Sequence, residues 1–304
     1  MIRFFFIVLL ILISAQGFAQ TPEDCVNQID DDGDALIDCA DPDCFYEAPC
    51  QTCWPQSLSP SSPSLSSGDR FGADCDIYGD TAIIGSPYDV QGGGLYGSAA
   101  IYTWSTTSKT WEFDQQLTVS ASQSNCNVSQ TFGFSVAVHK NIAAVSAPTW
   151  YCGNAGPDQS GRVYLFEKDN TGLWTETGSI SYPSEFTNGI DNQYALFGSD
   201  IAINDSWLIV SAQDLDSSNN CQNVGGIAIY NKNENNAWNL QQLFTNNICG
   251  DNFGQNLSLS DDKFLTTGTA VGENRVVIFT LDPLSGSWVA SDQITDPNPS
   301  PTSS

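Results

Sequence analysis

Seven carboxylates crowd into fourteen residues near the start of the chain: Asp30, Asp31, Asp32, Asp34, Asp38, Asp41 and Asp43. With Asp30 as position 1 of a calcium loop, Asp32 falls at 3, Asp34 at 5, Asp38 at 9 and Asp41 at 12. That spacing lets alternate side chains converge on one hard cation. Two details depart from the pattern. Position 6, where glycine usually supplies a positive φ, is Ala35, and position 12 is the shorter Asp rather than Glu. The alternative is an acidic solvated loop stapled by Cys25, Cys39 and Cys44. Mutual repulsion of so many carboxylates favours the ion.

Cysteine is the second chemistry. All ten cysteines follow the first nineteen residues, and an even number in an exported chain reads as disulfides. Five of them, Cys25, Cys39, Cys44, Cys50 and Cys53, lie together; five is odd, so full pairing requires one bridge out of this group, with Cys75 the nearest partner. Zinc competes poorly, because the Cys50–Cys53 pair has no second pair or histidine at ligand spacing. Cys126 with Cys152, and Cys221 with Cys249, sit in corresponding loops and are expected to pair. Each bridge would close about 27 residues and contribute ~3 kcal/mol.

Catalytic chemistry is thin. His139 is the only histidine and falls in a tight turn, where a solvated role outweighs that of a base. No GxSxG or phosphate-binding glycine loop is present. Carboxylates are too numerous for proximity alone to select a working pair. Tyr88, Trp150 and Tyr151 are the aromatics best placed in variable loops to meet a ligand.

These residues are positioned by a repeat. A 21-residue block occurs four times: FGADCDIYGDTAIIGSPYDVQ from Phe71, FGFSVAVHKNIAAVSAPTWYC from Phe132, FGSDIAINDSWLIVSAQDLDS from Phe197 and FGQNLSLSDDKFLTTGTAVGE from Phe253. The starts are 61, 65 and 56 residues apart, a period typical of propellers and arrays. Each block continues into a strand closing on Tyr102, Phe166, Tyr230 or Phe279, then reaches Trp111, Trp174, Trp238 or Trp288. The first strand of each unit alternates, and the second is a continuous apolar run of the kind covered on both faces. The four leading phenylalanines are expected to pack between neighbouring blades.

The blocks resemble FG-GAP repeats, the blade motif of integrin alpha-chain propellers and of many secreted bacterial proteins. SAPTWYCGNAGPDQSGRVYLF from Ser146 follows the family's run of small-residue turn, variable loop, glycine and strand. The resemblance implies an all-β propeller-like array of four FG-GAP blades, a partial or small ring rather than the integrin-type seven. Departures gather toward the C-terminus, where Thr269 replaces the turn proline and Asn274 the strand-opening glycine. Calcium-binding blades of the family carry an aspartate-rich turn between their first two strands. None of IYGDTA, VHKNIA, INDSWL and LSDDKF has one, so blade calcium is not expected. The N-terminal module resembles the cysteine-flanked Asp-rich motif found after the signal in secreted bacterial repeat proteins, for which calcium is the implied ligand.

Residues 1–19 read as a signal peptide, Arg3 preceding FFFIVLLILI and small residues closing at Ala19. A module spans 20–54, a Pro/Ser-rich linker 55–68, the repeats 69–295 and a Pro/Ser-rich tail 296–304. Formal charge is −26, with only 9 Lys and Arg, which argues against nucleic acid and anionic membranes. No membrane span is expected after signal removal. An open array would leave apolar end faces that invite self-association or a larger assembly. The expected function is exported, non-catalytic binding of a protein or glycan. The alternatives are a hydrolase or lyase built on loop carboxylates, and a passive spacer.

If Asp30, Asp32, Asp34, Asp38 and Asp41 hold calcium, replacing Asp32 and Asp34 by Ala abolishes binding, while the same change at Asp261 and Asp262 leaves it intact. Calorimetry decides, and an absence of heat with ~1 mM calcium removes the site.

Overall fold

The computed structural model describes residues 68–91, 95–119, 131–149, 161–186, 195–217, 221–245, 248–270 and 273–295, all within one compact unit, Pro60–Ser304. The expected calcium module, with Asp30, Asp32, Asp34, Asp38 and Asp41, lies outside these residues, as do Cys126, Cys152, Trp150 and Tyr151.

Sixteen strands form four antiparallel meanders of four. Blade 1 is β1 (Cys75–Tyr78), β2 (Thr81–Gln91), β3 (Leu95–Ser105) and β4 (Thr110–Leu117), and blade 2 is β5 (Val136–His139), β6 (Ile142–Ala147), β7 (Arg162–Lys168) and β8 (Trp174–Ser181). Blade 3 is β9 (Phe197–Ile203), β10 (Trp207–Ala212), β11 (Gly226–Lys232) and β12 (Trp238–Thr245); blade 4 is β13 (Leu257–Leu259), β14 (Lys263–Ala270), β15 (Glu273–Leu281) and β16 (Trp288–Thr295). The second strands are buried throughout in blades 2 and 3, which is why IAAVSA and WLIVSA carry no alternation. Each blade also carries one register shift between its third and fourth strands, immediately before the conserved-register aromatic at Tyr102, Phe166, Tyr230 or Phe279. The extra residue tightens the right-handed twist that a blade requires.

Blades join through one recurring contact. Gly97 bridges Phe132, and Gly225 bridges Phe253. Gly161 stands against the backbone of Phe197 in the same way. At Gly97, Gly161 and Gly225 φ is 103°, 105° and 75°, and a Cβ would overlap backbone atoms of the facing phenylalanine. The close approach seats Phe132, Phe197 and Phe253 in three apolar clusters, one per junction. Phe132 meets Tyr164 edge to face at 5.4 Å, and Trp288 meets Trp207 at 5.4 Å and Phe264 at 5.0 Å. Among the described residues no apolar cluster and no strand bridge joins blade 4 to blade 1.

One expectation about the leading phenylalanines is corrected. Phe132, Phe197 and Phe253 are 0%, 0% and 5% exposed, but Phe71 is 42% exposed, because among the described residues no blade precedes it. Tyr88 is also corrected: it belongs to β2, not to a loop. The β2–β3 ribbon continues past it, with Val90 paired to Tyr96 and Pro87 absorbed in the irregularity between Ser86 and Val90. Cys75 does not tie the array to the N-terminal cysteines; its thiol is free and exposed.

The fourth strands explain the recurrent tryptophan. Gln115 donates from Nε2 to the Trp174 carbonyl (2.7 Å) and accepts the Trp174 N–H at Oε1 (2.9 Å). Gln242 does the same for Trp288, at 3.1 and 2.6 Å. At the matching position of blade 2 stands Gly178, so Trp238 has no such clasp and is only half-buried, while Trp174 and Trp288 are buried. The junction between blades 2 and 3 relies instead on Lys232 and Glu167, 3.0 Å apart.

Replacing Gly161 or Gly225 by Ala is expected to cost roughly 2–4 kcal/mol, because the new methyl meets backbone and φ is positive. Gly72→Ala, with φ 83° but open space around it, should cost only about 1–2 kcal/mol. Denaturant melts of the three variants check the difference.

Candidate functional site

The inner strands β1, β5, β9 and β13 line a groove of about 370 Å³. Each presents one edge to this groove, and an unpaired edge leaves every second N–H without a partner. The sequence supplies acceptors from the neighbouring blade. Asp74 accepts its own neighbour's N–H, Cys75, at Oδ1 (2.9 Å) and the Val136 N–H of blade 2 at Oδ2 (2.8 Å). Asp76 repeats this with Ile77 (2.8 Å) and Val138 (2.7 Å). Asp200 accepts from Ile201 at Oδ1 (2.9 Å) and from Leu257 of blade 4 at Oδ2 (2.6 Å).

Blade 2 uses a hydroxyl for the same task. Ser135 Oγ accepts the Ile201 N–H (3.2 Å) and donates to Asp200 Oδ1 (3.1 Å). Asp74, Ser135 and Asp200 all stand three residues after the leading phenylalanine of their blade, a position filled by Asn256 in blade 4. Consequently both oxygens of Asp74, Asp76 and Asp200 are committed to backbone, and the groove's acids are clamps between blades.

Their environment is costly to charge. Burial pushes the Asp200 carboxyl up from 3.8 to about 6, assisted by the charge of Asp74 and opposed by the N–H groups of Leu257 and Ile201. Burial also raises Asp76, against the N–H groups of Val138 and Ile77. At the end of the groove formed by the tight turns, the Tyr78 and His139 rings meet tilted by 49°, with centroids 4.3 Å apart. His139 Nε2 lies 3.5 Å from Asp205 Oδ1, and Lys140 pairs with the other oxygen of Asp205. Lys140 is thereby raised and Asp205 lowered. His139 is thus partly covered by the Tyr78 ring rather than freely solvated.

Of the other expected site residues, Cys221 and Cys249 are joined by a disulfide with Cα atoms 4.9 Å apart. It ties the β10–β11 connection to the segment entering blade 4. Tyr88 is part-exposed, with the Arg70 guanidinium 4.6 Å above its ring. Asp262 pairs with Lys263 at the surface, 2.9 Å. Among the described residues no three His, Cys, Asp or Glu side chains are placed to hold a metal. A second, outer groove of about 470 Å³ runs between β4 and the β7–β8 turn, lined by Glu112, Asp114, Gln115, Lys168 and Leu173.

Because the folded carboxyl of Asp200 titrates near 6 rather than 3.8, the folded chain binds that proton more tightly than the unfolded chain. The stabilisation from this group is fully present below about pH 4 and is lost as pH rises through about 6, at most ~3 kcal/mol before discounting its partial exposure. Asp200→Asn should flatten that component of the melting-temperature profile between pH 4 and 7. Parallel profiles of variant and parent would disprove the assignment.

Residues 63–102 match the family model described as FG-GAP repeat. No curated protein matches the chain. Among solved structures, a functionally unknown protein of Desulfotomaculum acetoxidans is 14% identical with a TM-score of 0.43, over 74% of this chain and 56% of that one. A candidate 6-phosphogluconolactonase of Bacteroides uniformis is 10% identical with a TM-score of 0.48, over 78% and 59% respectively. The chain therefore spans less than two thirds of the length of either. Residues 63–102 are thus similar to an FG-GAP repeat, and the four-stranded plan of blade 1 recurs in blades 2, 3 and 4.

Proposed function

We propose that the protein is an exported, non-catalytic binding protein that presents variable connections on a rigid FG-GAP array to an extracellular protein or glycan. One observation carries this reading. The groove's carboxylates are spent on backbone clamps, whereas the repeats diverge most in the connections after the second strands. In an antiparallel meander the connections β2–β3, β6–β7, β10–β11 and β14–β15 leave at the end opposite the tight turns. Tyr88 approaches that end on the β2–β3 ribbon, and the Cys221–Cys249 bridge stiffens the β10–β11 connection. Preorganised connections lower the ordering cost of binding. Calcium in the module of Asp30, Asp32, Asp34, Asp38 and Asp41 would stabilise the N-terminal segment, and export is supported by the leader and the disulfide.

Residues 20–304, purified from an oxidising compartment, should bind defined members of a glycan array or an immobilised extracellular matrix protein, and Tyr88→Ala should weaken that binding about tenfold. Turnover of glycoside or ester substrates that survives Tyr88→Ala and is lost on mutating an acidic residue would overturn the reading in favour of a hydrolase.

A further inference from the structure

The groove between the inner strands carries more acceptors than the blades use. Along β1, β5, β9 and β13 alternate residues turn to the second strand of their own blade: Gly85 and Ser146 donate to the Asp74 and Ser135 carbonyls, and Asn204 and Ser260 donate to those of Trp207 and Lys263. In an antiparallel pair a residue's N–H and C=O leave on the same side, so the residues between these direct both groups into the groove. They fall on two levels. Asp74, Ser135 and Asp200 link the N–H groups of Cys75, Val136, Ile201 and Leu257 from blade to blade, which sets those four residues at one level. Asp76 links Ile77 to Val138 two residues further on, and Ile203 and Leu259 hold the same repeat positions in blades 3 and 4. The clamps take up N–H groups, but among the described residues none of the carbonyls on either level receives a hydrogen bond.

Two levels of carbonyls, separated by the rise of two strand residues or about 6.6 Å, therefore face the groove. Among the described residues no Lys or Arg lines it, and the basic side chains at its tight-turn end, His139 and Lys140, are paired with Asp205. Asp74, Asp76 and Asp200 add negative charge, and burial together with the charge of Asp74 holds the Asp200 carboxyl up at about 6. The occupant that this lining favours is cationic and rich in donors. A bare metal ion suits it poorly. A sphere of about 370 Å³ has a radius of roughly 4.5 Å, against calcium–oxygen bonds of about 2.3–2.6 Å, so an ion held by one wall would leave the others to water. An ammonium carries three N–H donors and no acceptor, so it can take carbonyls of one level without displacing a clamp. We propose that the groove binds a linear diammonium ligand of the aliphatic polyamine class, with one ammonium at each carbonyl level. A four-carbon spacer, when extended, sets the two nitrogens roughly 6 Å apart, which matches the separation of the levels. The groove and the variable connections are separate features, so either can fail alone.

The test is isothermal calorimetry on residues 20–304 with putrescine, butylamine, ethylenediamine and calcium. Putrescine should bind one to one, with butylamine and ethylenediamine at least about tenfold weaker, because neither places an ammonium at both levels. Ser258 is exposed and lines the groove at the repeat position that Asp76 fills in blade 1, so Ser258→Lys tethers an ammonium there and should abolish binding. Ala202→Lys, at the same repeat position in blade 3, is the second variant, and thermal melts establish that each is folded. Asp32→Ala/Asp34→Ala should bind as the parent does, which separates the groove from the acidic N-terminal segment. Equal affinities for putrescine and butylamine would overturn the proposal. So would displacement of putrescine by equimolar calcium, binding that survives in both folded lysine variants, its loss in Asp32→Ala/Asp34→Ala, or an absence of heat with ~5 mM putrescine.

Discussion

The array depends on backbone meeting backbone without side chains between. At each junction a glycine in a positive-φ conformation lets the carbonyl of the next blade's phenylalanine come within contact, and only then does the phenylalanine ring reach the apolar space between sheets. The order of causes matters. Burial of an aromatic stabilises a junction by roughly 1.5–3 kcal/mol, but the glycine decides whether the ring can arrive. Stability in such an array is a sum over neighbouring pairs, and the three pairs are not alike. The outer two carry a glutamine clasp on tryptophan, and the middle one substitutes a lysine–glutamate pair and the largest apolar cluster.

Packing inner strands side by side without pairing them creates a second requirement, acceptors for their free N–H groups. Carboxylates answer it efficiently because each has two oxygens, one for its own strand and one for the next. The expense is charge held in a partly buried groove, visible as the raised titration of Asp200 and Asp76. Part of the chain's acidity is therefore structural rather than a signature of its ligands.

Much of this was legible in the residues. The Phe-Gly register, the continuous second strands, the closing aromatics and the number of blades follow from periodicity. Other features resisted for identifiable reasons. Phe71 looks identical to Phe132, Phe197 and Phe253, and its exposure reflects the missing junction partner among the described residues, which the repeat itself does not encode. Pro87 suggested a turn, yet a strand irregularity absorbed it and carried Tyr88 into the β2–β3 ribbon. The clamp was hidden because Asp74, Ser135 and Asp200 share a position and an acceptor role but not a residue type. Reading the third residue after each phenylalanine as a class of acceptors would have found it. The pairing of Gln115 with Trp174 spans two repeats and has no signal within either one.

Blades 1 to 4 meet through three successive junctions, each built on one glycine and one phenylalanine. A load carried from blade to blade passes through these junctions in series, so its limit is set by the weakest contact, not by an average. Each junction is made of side-chain packing and a few bonds between blades, and it can part while the sheets on either side keep their own hydrogen bonds.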